Sequence, residues 1–418
     1  MFIFFAEVMS KHFKRVLYST DWENGYSIIE DNMLGDGMEN IERCDDFWPL
    51  IDKKEIDIVC YPDVQNSGEQ LHIESLGIPV WGSRAADRIE WDRELFKAKQ
   101  KELGLPQPVY RSITGIPNLR AYLKEHDNCY IKFSKYRGEM ETRRHINYAL
   151  SEQWLDWIEF RMSPVKHIVK FMVEDELKTD VESGMDAYCV DGKFPDTVIQ
   201  AIEIKDCGSM GTVTPYKDMP SQLIEPMEAF APYLKANRYR NQISTENRIK
   251  KGVGYYTDAT QRMASPCGEA FLANCENIGD IAWRGAHGEL VQPKFASKFV
   301  CQAIIFHKEE KLDMFRPLQI PDEVKPFVAL YRVCEMEDAY QIVPQSPHFK
   351  EVGSVIGLGD TMESAIDNLK KHAEAIKNNH IEVNTDSLYY AIKEIHSAEK
   401  QGVEFTPDKV PQPDVALT

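Results

Sequence analysis

A stretch in the middle of the chain carries residues able to hold a metal ion against a phosphate. In "NQISTENRIKKGVGYYTDATQRMASP" (241–266), two β-rich runs flank Lys250–Gly252, which reads as a tight hairpin turn. With the turn centred near Lys251–Gly252, Glu246 and Asp258 face each other across the strands. Side chains two apart share a face, so Arg248 and Thr260 join them. Opposed carboxylates repel unless a cation sits between them. Mg²⁺ takes oxygen ligands, often one or two carboxylates plus substrate phosphates. The competing reading is a solvated hairpin with ordinary surface charges.

Other candidates are spread along the chain. Lys132, late in the run "CYIKFSK" and followed by a loop containing Gly138, could reach phosphate oxygens. The single glycine in "RGEMETRR" sets that loop apart from a P-loop; the bland alternative is an edge-strand lysine. The stretch "VEDELKTDVESGMDAYCVDG" (173–192) brings Glu174, Glu176 and Glu182 near strand ends. A buried glutamate there could take both hydroxyls of a ribose, or these could be solvated acids of a loop. In "DCGSMGTVTP" (206–215), backbone amides framed by glycines could hold a carboxylate or phosphate, unless the segment is a simple connector. None of the eleven histidines has a nearby Cys or Ser in a recognisable nucleophile context, and His145 and His287 read as loop or core residues.

These residues need elements to position them. Residues 1–92 alternate short β-rich runs, "KRVLYST", "IDIVCYPD" and "IPVWGS", with helix-like segments, the order of βαβ units. "MFIFFAEV" reads as a first buried strand. "DRELFKAKQKELGLPQP" (92–108) is an amphipathic helix stopped by Gly104 and Pro106. "HIVKFMVEDEL" and "MDAYCVDGK" read as a strand pair with an Asp-Gly turn at 191–192, and "DTVIQAIEIKD" as a strand running into a loop, "CGSMGTVTPYKDMP". A long helix, "SQLIEPMEAFAPYLKAN", precedes the hairpin. A small mixed α/β region follows Pro293, and "TPDKVPQPDVALT" reads as a flexible tail.

The 418 residues suit two to four domains, and 43% hydrophobic content supplies substantial cores. A net charge of −18 argues against binding a nucleic-acid backbone. Nine scattered cysteines without a CxxC pair fit free thiols in a reducing compartment, and no apolar run is long enough to span a bilayer. The expected location is the cytoplasm.

The order of these features resembles the ATP-grasp ligases, in particular the phosphoribosylamine–glycine ligase branch. The resemblance rests on "IDIVCYPD…LGIPVWGSRAADRIEWDRELFKAKQKELGLP", "CYIKF", "VESGMDAYCVDG", "GSMG", "TDATQRMASP" and "GSVIGLGDTMESA", and covers about residues 50–375. It implies an α/β fold: a Rossmann-like pre-ATP-grasp domain (1–92), a two-lobed ATP-grasp core (93–310, small lobe about 106–172), and a C-terminal α/β domain (311–385). A C-terminal helix and Pro-rich tail (386–418) would follow. It also implies ATP with Mg²⁺ or Mn²⁺, and small-molecule carboxylate and amine substrates, in a monomer or homodimer away from membranes. Lys132 would bind the α- and β-phosphates, and Arg93 and Lys97 fall where the family has ATP-contacting lysines. Glu174 would lie near the adenine hinge and Glu182 would hold the ribose; Lys205 joins the ATP-binding set. Glu246 and Asp258 would bridge the metal with Thr260 as a third oxygen, and Arg262 would face the γ-phosphate or acyl-phosphate as a catalytic cation beside Lys132.

The sequence also departs from that family. "MFIFFAEVMSKHF" has no glycine where a phosphate loop is expected, "YPDVQNSGEQ" replaces "GPEAPL", and Thr260 stands in place of a metal-binding asparagine. Three readings follow. One is a carboxylate–amine ligase with a different substrate pair. The others are a nucleotide-binding protein without ligase activity and a purine-pathway phosphoribosylamine–glycine ligase.

Overall fold

The computed structural model describes residues 3–19, 34–135, 142–179, 181–204, 207–309, 314–337, 339–344, 350–376, 380–386 and 388–405. Lys205, the loop around Gly138 and the Pro-rich tail lie outside the described residues.

The N-terminal region holds two short parallel pairs, β1 (Val16–Tyr18) with β2 (Ile41–Arg43), and β3 (Val59–Cys60) with β4 (Val80–Trp81). The expected first strand is instead a helix, Ile3–Ser10, whose Ile3, Phe4, Phe5, Ala6, Val8 and Met9 are all buried. A short run that is apolar on every side carries no period, so a buried helix and a buried strand look alike in sequence.

The helix Arg93–Glu102 forms as read, with Asp92 accepting at 3.1 Å from the Leu95 amide as its N-cap, and with Gly104 at a left-handed φ of 71° just beyond its end. It leads to a four-stranded sheet ordered β5 (Tyr110–Thr114), β8 (Lys170–Asp175), β6 (Cys129–Phe133), β7 (Thr142–His145). The helices Ile116–Leu123 and Tyr148–Arg161 pack on this sheet. Ile116, Leu119, Leu155, Ile158, Phe171 and Val173 form a core of its own.

The remaining body is a nine-stranded sheet. Its members in chain order are β9 (Val181–Val190), β10 (Thr197–Ile204), β11 (Gly208–Pro215), β12 (Arg240–Lys250), β13 (Val253–Thr260), β14 (Phe299–His307), β16 (Val328–Leu330), β19 (Glu351–Gly359) and β20 (Ile381–Val383). Their spatial order is β13-β12-β9-β10-β11-β14-β19-β16, with β20 beside β14. Separate clusters of buried side chains cover its two faces. A three-stranded sheet, β15 (Arg316–Leu318), β18 (Ala339–Ile342) and β17 (Val333–Met336), flanks it.

Two expectations change here. "HIVKFMVEDEL" and "MDAYCVDGK" do not pair: β8 and β9 belong to different sheets. The Asp191-Gly192 turn is present, but it sends β9 back toward β10 through a Val190–Lys193 bridge. "GSMGTVTP" is not a loop but a buried central strand, hydrogen-bonded to β10 and β14. Gly208 is needed there for close approach, since a Cβ would fall 1.9 Å from the Gln302 carbonyl oxygen.

Candidate active site

The hairpin of β12 and β13 forms, with Glu246 and Asp258 opposed as expected. Lys251 and Gly252, both at positive φ, make a two-residue turn between Lys250 and Val253. Glu246 sits opposite Asp258, and Ser244 opposite Thr260. Alternate residues of β12 face inward, with Thr245, Asn247 and Ile249 buried, which leaves Ser244, Glu246 and Arg248 on the open face. A register shift after Glu246 accommodates the pair, and Thr257 Oγ1 donates to Glu246 Oε1 at 3.0 Å.

Glu182 of β9 joins this face through Arg248, at 2.5 Å from the guanidinium, while Arg248 lies 3.6 Å from Glu246. Burial and the neighbouring Glu246 push the Glu182 carboxyl up to about 8, outweighing the pull of Arg248. Glu182 and Glu246 therefore crowd one arginine, with Asp258 opposite Glu246 on the next strand.

The opposing cluster is cationic. Lys97 from the helix Arg93–Glu102 lies 2.6 Å from Glu174 Oε1, and Lys132 from β6 lies 2.9 Å from Glu174 Oε2. Burial opposes the charge on Glu174, yet the two ammoniums win and hold its carboxyl down at about 2. Burial lowers Lys97, whereas at Lys132 the charges of Glu174 and Asp258 overcome desolvation and raise it. Arg93 donates to the Phe133 carbonyl at 2.8 Å and adds its charge near Lys132. Asp258 acts electrostatically on both Lys97 and Lys132, so the acid of the hairpin lies within range of the lysine cluster.

Arg262 occupies a different setting. Its Nε donates to Glu90 Oε1 at 2.8 Å and lies 3.7 Å from Asp63, while Glu90 Oε2 accepts from the Gln261 amide at 2.5 Å. The hairpin's end is thereby tied to the N-terminal region. Glu90 and Asp63 carried no signal in the sequence, since their importance comes from a contact across about 170 residues, made only once the chain is folded. Asp186 and Glu269 were missed for a related reason: each is an acid inside an apolar run, and each is buried.

The donor set suits a hard divalent cation. Glu246, Asp258 and Thr260 offer oxygens on one face, in a carboxylate excess that a cation would relieve. Among the described residues no group of three His, Cys, Asp or Glu forms a closed metal cage.

No protein-family model matches the sequence, and no curated protein matches it. Solved structures do. The phosphoribosylamine–glycine ligase of Thermotoga maritima superposes with a TM-score of 0.66 over 92% of this chain and 96% of its own, at 16% identity. The biotin carboxylase domain dimer of the Hydrogenobacter thermophilus 2-oxoglutarate carboxylase, solved with MgADP, ADP and bicarbonate, gives 0.65 over 96% and 93%, at 13% identity. The biotin carboxylase of Campylobacter jejuni, solved with a β,γ-ATP ligand, gives 0.62 over 94% of each chain, at 12% identity. This chain has the ATP-grasp fold. No described helix is long and apolar enough to cross a membrane.

Proposed function

We propose that the protein is an ATP-dependent carboxylate–amine ligase that forms a C–N bond through an acyl-phosphate. The observation that carries this reading is a lysine pair on Glu174 and an acid pair on the hairpin near enough that Asp258 acts on both Lys97 and Lys132. A triphosphate needs cationic side chains along its oxygens and acids on the other side to hold its metal, and this arrangement offers both.

In this reading Lys97, Lys132 and Arg93 hold the phosphates, and Glu174 keeps the lysines in place before ATP arrives. Glu182 exchanges its contact with Arg248 for the ribose hydroxyls, and Lys205 belongs to the same nucleotide set. Glu246 and Asp258, with Thr260, would hold Mg²⁺ or Mn²⁺, which supplies charge neutralisation for phosphoryl transfer when bound. Arg262, anchored by Glu90, presents its remaining guanidinium surface to the acyl-phosphate. The substrate carboxylate takes the γ-phosphoryl group. The amine then attacks the carbonyl carbon and phosphate leaves. Catalysis is positioning and charge stabilisation, with no covalent protein nucleophile. We assign residues 1–92, 93–310 and 311–385 to pre-ATP-grasp, ATP-grasp and C-terminal domains of a cytoplasmic monomer or homodimer.

One observation speaks for a substrate pair other than glycine and phosphoribosylamine. A phosphate monoester is best held by backbone amides of a glycine-rich turn. The segment Ile3–Ser10 is instead a buried helix without glycine, whose Glu7 accepts a hydrogen bond from Tyr340 at 2.8 Å, and burial raises its pKa. The test is ADP and phosphate release across a matrix of carboxylates and amines. Turnover needing one of each, with little from glycine plus phosphoribosylamine, is expected. ATP binding with no stimulation anywhere would favour a nucleotide-binding protein without ligase chemistry.

A further inference from the structure

The three-stranded sheet beside the main sheet carries a cavity that the ligase chemistry does not use. Residues 318–321 at the end of β15, the turn between β17 and β18, and the last residue of the helix Met362–Ala375 line a space of about 380 Å³. Small-molecule sites span roughly 300–1,000 Å³, so this one suits a compact ligand. Its apolar wall is Ile320, Pro321, Ala339 and Ala375. None of its lining residues belongs to the hairpin, the helix Arg93–Glu102 or β6.

Two opposite charges line this cavity without meeting. Lys325 pairs with Asp322 at 2.9 Å, and its Nζ lies 5.5 Å from the centroid of the Tyr340 ring. An ion pair on one side and an aromatic face on the other fix the ammonium at the wall. The Tyr340 hydroxyl donates to Glu7 at 2.8 Å, so what Tyr340 gives the cavity is its ring. Glu337 is the second charge, and it makes no ion pair or hydrogen bond with a described residue. It opens the turn between Met336 and Ala339 at a φ of 53°, in the left-handed region where Gly, Asn or Asp is the usual choice. A position that favours glycine thus carries an acid at the cavity's edge, and backbone outliers of this kind gather at ligand sites.

We propose that this cavity binds a free α-amino acid with an apolar side chain. Lys325 keeps donors for a carboxylate after its bond to Asp322, and Glu337 lacks the cation that an α-ammonium would supply. An amino acid carries both charges on one carbon, so a single ligand can answer the two residues that do not answer each other. Its side chain would then lie on the apolar wall. A simple anion would leave Glu337 unpaired, and a simple cation would face Lys325. The site is independent of the ligase reading.

The test is titration calorimetry on the full-length protein without ATP, with L-valine, L-leucine and L-phenylalanine as probes. Saturable binding of at least one is expected. The amide of that amino acid, which keeps the ammonium without the carboxylate, should bind at least about tenfold more weakly, and so should the matching carboxylate without the amine. Lys325→Met and Glu337→Gly should each weaken the amino acid by a similar factor. Glu337→Gly should at the same time raise the melting temperature of the unliganded protein, because glycine adopts that φ without strain. Loss of binding together with a gain in stability is what a purely structural residue would not give. No saturable binding, equal binding of the amide or the carboxylate, or unchanged binding in either variant overturns the site. None of these results bears on the ligase reading, which is judged by ADP release.

Discussion

On the wall built from the helix Arg93–Glu102 and β6, two lysines share one carboxylate. On the wall built from β9, β12 and β13, two carboxylates, Glu182 and Glu246, share one arginine, and Asp258 stands opposite Glu246. The first cluster is nearly dry: Lys97 and Glu174 side chains are 2% and 5% exposed. The second is wetter, with Glu182, Arg248 and Glu246 between 29% and 37%. A buried excess of positive charge is stable only because Glu174 is there. An excess of negative charge can be tolerated half in water, but it remains repulsive. One wall is held together by its charges and the other is held apart by them.

The comparison is broken most directly at Glu174. Glu174→Ala leaves two lysines without their shared counter-ion, and removing one member of a buried ion cluster typically costs about 3–5 kcal/mol. The expected outcome is a large fall in the urea midpoint, partly recovered by adding ATP without metal, whose phosphates would replace the lost anion. A variant as stable as the wild type would show that the lysines do not depend on Glu174.

The same operation on the other wall should have the opposite sign. Glu246→Gln or Asp258→Asn removes one of two opposed acids and relieves repulsion. Thermal stability should hold or rise, by up to about 1 kcal/mol. Mg²⁺-dependent ATP turnover should disappear while metal-free ATP binding persists, as titration calorimetry would show. Full activity in both variants would remove the metal platform from the hairpin.

How much of this was legible in the sequence follows from the range of the interactions. The hairpin was readable because its register depends on a two-residue turn and a period of two, both local. Counting outward from the Lys251–Gly252 turn sets Glu246 opposite Thr257, and the one-residue shift after Glu246, which no local pattern marks, brings Asp258 there instead. The helix Arg93–Glu102 was readable from its period and its Gly-Pro stop. Ile3–Ser10 was not, since residues apolar on all sides have no period to read. "GSMGTVTP" reads as a loop because its glycines and hydroxyls look like a connector. Their reason is tertiary: β11 is squeezed between β10 and β14, where Gly208 permits a contact that any side chain would block. The bond from Glu90 to Arg262 depends on segments far apart in the chain, and no local pattern marks it.

The smallest expected effect sharpens the comparison through pH. Glu174 has its folded pKa lowered from 4.5 to about 2, so its contribution is fully present above 4.5 and is lost as pH falls toward 2. Glu182 runs the other way. Its folded pKa is raised from 4.5 to about 8, so between those values the native state holds a proton that the unfolded chain has released. By linkage, stability then falls as pH rises through that window. The shift overstates the size of this effect, because the side chain is 31% exposed and keeps Arg248 beside it. A change on the order of 1 kcal/mol is the reasonable scale. The measurement is the urea midpoint of wild type and Glu182→Gln at pH values across the window. The variant, with nothing to titrate at that position, should lose less stability toward pH 8 than the wild type, and the two curves should converge near the acidic end. Parallel curves would mean that Glu182 is ionised throughout, held by Arg248, and that the acidic wall is less repulsive than its carboxylate count implies.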